Sequence, residues 1–230
     1  MTVEKGTDEA IVQKINDGFD GAGIGPLDPE TASKFGIYLS LILRWNKRLN
    51  LTSLRDEDAI IYRHLAESLA CARAIPEGVR TLLDYGSGAG LPGIPIALCR
   101  PEIAVTLAES QGKKAAFLQE AVRTLGIRTR VYGGRAETIT ETFDCVVLRA
   151  VDKMPRAVAE AAKLVAAEGW LGLMTTNADL GRLQKAAGSR FLWDRRIALP
   201  KSAERIVALG QRQDRGGQAD RDHRDTPRDA

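Results

Sequence analysis

The sequence predicts an α/β fold: a mostly parallel sheet with helices on both faces, an antiparallel strand pair at one edge, and a helical cap on the N-terminal side. Three observations carry this reading. From Arg80 onward, short apolar runs alternate with amphipathic stretches, the pattern of repeated βα units. The last two apolar runs, RFLWDRRIAL and ERIVALG, follow each other with no long helical stretch between them, as an antiparallel pair added to a sheet edge would. Before Ile75, apolar residues recur at helical spacing.

Residues 1–27 mix acids, bases and scattered apolar positions and are expected to be flexible or partly helical. The cap is assigned to 28–78. Asp28 suits a helix cap and Pro29 the first helical position, after which Phe35, Tyr38, Leu39, Ile42, Leu43 and Trp45 mark one face. The α/β domain is assigned to 79–210. It runs through the strand TLLDYG, a helix opening at Leu91-Pro92, the strand IAVTLAES, the helix QGKKAAFLQEAVRTLGI and the strand RVYGG. FDCVVLRA, an amphipathic stretch from Lys153 to Ala166, and GWLGLMT continue the alternation. Residues 211–230 hold five arginines, five aspartates and no large apolar residue, so a disordered tail is expected there.

Composition narrows the class. A chain of 230 residues, 44% hydrophobic, can bury a sizeable core as one domain with an appendage. Cys71, Cys99 and Cys145 stand far apart in apolar surroundings, which suggests neither a disulfide framework nor a metal site. The N-terminus lacks the apolar stretch of a signal peptide, and no run is long enough to span a bilayer. A cytoplasmic monomer without membrane contact is expected. A net charge of +3 is too small to argue for nucleic acid by itself, so the placement of the charges matters more.

The stretch LLDYGSGAGLPG, from Leu82 to Gly93, places four glycines behind an apolar run, where a ligand would approach bare backbone. It fits two registers. Gly88-x-Gly90-x-x-Gly93 matches the dinucleotide fingerprint of NAD(P) enzymes, with Pro92 intruding before its last glycine. Asp84-x-Gly86-x-Gly88-x-Gly90 matches the first motif of S-adenosylmethionine (SAM) methyltransferases. An acid at Asp84 would repel a pyrophosphate but suits the amino group of a methionine moiety, directly or through water. Glu109 ends the second strand about 20 residues downstream, where a carboxylate accepts ribose hydroxyls of either cofactor. After the third strand, the stretch containing Ala136 and Glu137 offers a backbone N–H and a carboxylate to an adenine ring.

The chain resembles the RsmG (GidB) family of bacterial small-subunit rRNA methyltransferases. The resemblance is carried by WNKRLNLT from Trp45 to Thr52, RHLAESL from Arg63 to Leu69, LLDYGSGAGLPGIPIAL, GKKAAFL, Gly134-Arg135-Ala136-Glu137 and Leu148-Arg149-Ala150-Val151. It implies a Rossmann-like class I SAM methyltransferase fold and methyl transfer to N7 of a guanine in the decoding region of 16S rRNA. It also implies cofactor contacts at Gly86, Leu91, Ala136, Glu137 and Arg149. Two departures are conservative, Tyr85 for a small aliphatic and Glu67 for an aspartate. A third, Leu173-Met174-Thr175-Thr176-Asn177, stands where the family has a lysine-glycine pair. A SAM enzyme acting on another RNA, a protein or a small molecule remains the alternative, and that missing lysine would also suit an inactive scaffold.

Guanine N7 carries a lone pair and no proton, so no general base is required, and orientation with desolvation supplies the acceleration. Arg149 is placed nearest the reaction as a positioning group, to guanine O6 or a phosphate, with an ion pair to Asp144 or Asp152 as the competing reading. His64 reads as a structural histidine. For substrate RNA, Arg44, Lys47 and Arg48 share a helix face, joined by Arg55 and by Lys113 and Lys114 at the start of a sheet helix. The expected partner is 16S rRNA or the small ribosomal subunit, and not DNA.

Overall fold

The computed structural model describes residues 5–213, with side chains from Glu9 onward. Its sheet has seven strands in the order β3-β2-β1-β4-β5-β7-β6. They are β1 (Thr81–Tyr85), β2 (Ala104–Ala108), β3 (Thr129–Tyr132), β4 (Phe143–Arg149), β5 (Val165–Thr176), β6 (Phe191–Ala198) and β7 (Arg205–Arg212). β1 to β5 run parallel, whereas β7 pairs antiparallel with both β5 and β6. Chain order reverses between β1 and β4, and in such sheets ligands bind beyond the carboxyl ends at this point. The sheet helices are α5 (Gly93–Cys99), α6 (Gly112–Leu125), α7 (Met154–Ala161) and α8 (Asn177–Ala187).

Period-two alternation sorts the strand residues onto two cores. Leu82, Val105, Leu107 and Val147 join α6 and the cap in one buried cluster. Leu83, Tyr85, Val146, Leu148, Leu171 and Leu173 face the opposite side, where they meet Val158 of α7 and Leu183 of α8. The sheet is thereby closed on both faces.

The cap comprises α1 (Lys5–Gly21), α2 (Pro29–Leu49), α3 (Glu57–Ile60), a π turn (Ile61–Ala66) and α4 (Glu67–Ala74). Asp28 caps α2 by accepting from Thr31 N at 3.0 Å, as its place before Pro29 suggests. α1 lies within the stretch expected to be flexible or partly helical. Its Ile15 and Phe19 are wholly buried, and Phe19 meets Phe35 of α2 edge-on at 5.5 Å. Trp45 near the end of α2 does the same against Phe117 of α6 at 5.8 Å. Cap and sheet therefore share one core.

The helix expected at Leu91-Pro92 begins instead at Gly93, because residues 86–92 form the ligand loop. α8 was not anticipated: only Leu180 and Leu183 are buried along it, too few to give a periodic signal. Thr176 starts it, accepting from Asp179 N at 3.2 Å. β7 continues to Arg212, past the expected domain end at 210. The expected tail, from residue 214 onward, lies outside the described residues.

Candidate active site

The loop after β1 is fixed from three sides. The N–H groups of Gly86 and Ser87 donate to Ala108 O at 3.0 and 2.9 Å, tying the loop to the end of β2. Tyr38 of α2 donates its hydroxyl to Ala89 O at 2.5 Å, so the cap holds the loop from above. Gly86 and Gly90 take φ of 74° and 85°, a region that only glycine enters freely. At Gly90 a side chain would also strike Ile94, 2.5 Å away. Gly90 thus shapes the turn and is not among the residues lining the two lobes above the strand ends.

Asp84 lies deeper than a direct cofactor contact would need. It shares the face of Leu82, is 1% exposed, and accepts from Gly93 N at 3.0 Å through Oδ2. A Cβ on Gly93 would lie 2.6 Å from that oxygen, so glycine is needed for the approach. The carboxyl anchors the start of α5 beneath the loop and does not line the cleft, and burial pushes its pKa up to about 7. The bond from Gly93 N uses Oδ2 only, so the part of the expectation that stands is a contact with a methionine amino group through water to Oδ1.

Two lobes open above the strand ends. The smaller, 310 Å³, is walled by Tyr85, Gly134, Ala136 and Glu137, with Lys153 and Arg156 at its side. The larger, 420 Å³, is walled by Leu51, Thr52, His64, Leu91, Lys114 and Arg149. Gly86, Glu109, Val151 and Asp152 belong to both. Glu109 accepts from Gly88 N at 2.9 Å and from Gln111 N at 2.7 Å, one bond to each oxygen. An ionised carboxylate has about four acceptor positions, so capacity for two hydroxyls is left. Beside Gly88, apart from its chain neighbours, an added Cβ would meet among the described residues only Gly86 O, at 4.0 Å, which leaves room for a ligand against bare backbone. These features fit a nucleoside cofactor: a carboxylate where the lobes join, an open glycine, and Glu137 exposed in the adenine-sized lobe.

Arg149, at the end of β4, turns toward the cap and not toward Asp144 or Asp152. Its Nη2 shares two hydrogens among three acceptors, Arg63 O at 2.6 Å, His64 Nδ1 at 2.9 Å and Glu67 Oε2 at 3.0 Å. Asp144 instead accepts from the N–H groups of Arg80 and Thr81, both at 2.9 Å. Glu67, 2% exposed, also accepts from Arg205 Nε of β7 at 2.7 Å. Nη2 of Arg149 is thus committed to the cap, while Nη1 makes only contacts of 3.5 Å, to His64 O and Ser68 Oγ, and Arg149 still lines the larger lobe. His64 bonds Arg149 through Nδ1 and Thr52 Oγ1 through Nε2, the latter at 2.6 Å. Burial, and then the Arg149 charge, push its pKa down to about 3, so the ring is neutral. Sequence spacing gave no sign of this pairing, because it joins a loop, a π turn and a strand end.

The expected RNA contacts fall into two groups. Arg44 pairs with Glu120 of α6, and Arg55 donates to Asn46 O at 2.8 Å and Asn50 Oδ1 at 2.7 Å, closing the end of α2. Lys47, Arg48 and Lys113 are exposed and form no ion pair with another described residue, while Lys114 reaches the wall of the larger lobe. No lysine stands at Thr175-Thr176, which pair with Ile206 and Arg205 of β7.

Sheet order, the glycine loop and the carboxylate at the strand ends together define a class I SAM-dependent methyltransferase. The fold is shared with the mitomycin 7-O-methyltransferase MmcR at 16% identity and a TM-score of 0.58, over 88% of this chain and 66% of that one. The GidB family model, described as rRNA small subunit methyltransferase G, matches residues 31–189, and the chain belongs to this family. Among curated relatives, "Ribosomal RNA small subunit methyltransferase G" of Xanthomonas oryzae pv. oryzae is 45% identical over 148 residues, covering 63% of this chain and 69% of the relative. The protein of the same name from Neisseria gonorrhoeae is 40% identical over 168 residues, covering 70% and 81%.

Proposed function

We propose that the protein transfers the methyl group of SAM to N7 of a guanine in 16S rRNA of the small ribosomal subunit, acting as a cytoplasmic monomer. The observation that carries this reading is the two-lobed cleft, whose lobes meet at Glu109 and whose larger lobe is walled by cap residues. Both lobes are built from one chain. SAM supplies an electrophilic methyl group on a sulfonium centre.

The chain's own residues bind, orient and exclude water. Glu109 takes the ribose hydroxyls, while Ala136 and Glu137 receive the adenine in the smaller lobe. Gly86, Gly88 and Leu91 floor the larger lobe beneath the methionine moiety. Arg149 holds the π turn against the sheet and so shapes the wall that the acceptor meets. Lys47, Arg48, Lys113 and Lys114 lie along the RNA approach.

Available acid–base groups agree with an acceptor that loses no proton. His64 has both ring nitrogens in hydrogen bonds and is neutral with a pKa near 3, so it is not a general base. The thiols are poor nucleophiles: burial pushes Cys71 up to about 12 and Cys99 to about 11, and raises Cys145 as well.

The test incubates the protein with labelled SAM and small subunits lacking the modification, then maps the label. Cleavage chemistry selective for N7-methylguanine should reveal one position in 16S rRNA. Label on another base, on a ribosomal protein, or nowhere would sink the reading.

A further inference from the structure

The hydrogen bonds from Arg149 through His64 to Thr52 have a direction that can be read from one end. A guanidinium has donors and no acceptor, so in its 2.9 Å contact with His64 the Nδ1 atom accepts. A neutral imidazole with an accepting Nδ1 carries its proton on Nε2. Nε2 therefore donates to Thr52 Oγ1 at 2.6 Å. The same oxygen accepts from Leu54 N at 3.1 Å. A hydroxyl has two lone-pair positions and one hydrogen, and here both lone pairs are taken. What Thr52 has left for the larger lobe, which it lines, is an O–H that can only donate.

We propose that Thr52 is a specificity-determining residue whose hydroxyl, made an obligate donor by Arg149 and His64, hydrogen-bonds O6 of the acceptor guanine. This rests on the functional reading above. O6 lies beside N7 on the same edge of guanine, whereas adenine presents an amino group in its place. A donor that cannot reverse its polarity meets an acceptor in guanine and another donor in adenine. N7 neighbours O6, so the same bond holds the edge of the base that carries the reacting atom. Glu67 and the Arg63 carbonyl hold Arg149 from behind, at 3.0 and 2.6 Å, and keep the direction from inverting. A site that hydrogen-bonds a substrate group rejects the analogue lacking it, because the site's own polar group is left unpaired.

The experiment measures single-turnover methyl transfer by the full chain to small subunits reconstituted with guanine or 2-aminopurine at the target position. 2-Aminopurine keeps N7 and lacks O6. The wild-type protein should favour guanine by about tenfold or more, the loss of one hydrogen bond in a desolvated site. Thr52→Val should slow transfer to guanine and lose most of that preference, and Thr52→Ser should restore both. SAM affinity, measured by calorimetry on each variant, should stay within about twofold of wild type, which excludes misfolding as the cause. Three results overturn the proposal alone: no preference for guanine in the wild type, a preference unchanged in Thr52→Val, or weaker SAM binding in Thr52→Val with the preference intact, which would assign the hydroxyl to the cofactor. Wild-type protein that methylates neither substrate overturns the functional reading and the proposal together.

Discussion

Asp84 is a carboxyl group carried in the core at 1% exposure, and its pKa of about 7 against an ordinary value of 3.8 makes stability depend on pH. The folded state holds the proton more tightly than the unfolded one. Its favourable contribution is complete below about pH 4 and is lost as pH rises through 7. Asp84→Asn keeps an acceptor for Gly93 N and cannot ionise. Urea unfolding from pH 4 to 8 should therefore show wild type losing stability relative to this variant by up to about 1.4 kcal/mol per pH unit, with no further change above 7. A parallel pH dependence would remove the buried carboxyl from the account. Glu109 behaves differently because it faces the cleft: Glu109→Leu should weaken SAM binding at least roughly tenfold by calorimetry, with NAD(P) silent toward both proteins. Equal SAM affinity would remove the ribose assignment. Spacing alone made Glu109 legible, since a strand end about 20 residues past a glycine loop needs no further geometry. Asp84 was legible as a motif but not as a role. Alternation along β1 sets it on the Leu82 face, toward α5, and a motif carries no direction. Thr52 and His64 lie in stretches that carry the family resemblance, but their contact gave no signal, because it depends on a turn that places residues twelve apart side by side.

Among elements, α2 does the most to join the parts, holding the glycine loop with Tyr38 and α6 with Trp45 and Arg44. That leaves a smaller basic face than the sequence suggested. Arg44 and Arg55 have partners within the fold, whereas Lys47, Arg48 and Lys113 are exposed and form no ion pair with another described residue. Replacing these three by alanine should weaken binding to small subunits and reduce the slope of log affinity against log salt by about 1 for each lost contact. SAM affinity should be unaltered. Filter binding across a salt series decides it, and an unchanged slope means the face is merely solvated. The π turn at Ile61–Ala66 offers the carbonyl of Arg63 to Arg149, and π turns are concentrated at functional sites. Nothing in RHLAESL distinguishes it from an ordinary helix, since apolar periodicity cannot register one extra residue in a turn. α8 escaped notice for the opposite reason, being polar over most of its surface.

For the molecule as a whole, the βα alternation made the sheet legible, and the absence of a long helix before ERIVALG made its antiparallel edge legible too. The cap's dependence on the sheet was not. Ile15, Phe35, Leu65 and Leu69 lie in the same buried cluster as Leu82, Val105 and Phe117, so neither part can close its apolar surface alone. Single-tryptophan variants keeping only Trp45 in the cap or only Trp193 in the edge strand should unfold at the same urea midpoint. Separate midpoints would show that the cap melts independently. The bridge at Glu67 has a bearing on how such a chain is made. Synthesis delivers Glu67 to the exit tunnel 82 residues before Arg149 and 138 before Arg205, so this acid waits in a nascent chain while its two cations are still untranslated. Until Arg149 is made, neither cation exists, and until β7 emerges only one of the two does. A polypeptide stalled between the two would hold the wall of Thr52 and His64 through Arg149 alone, with Oε1 of Glu67 left to water.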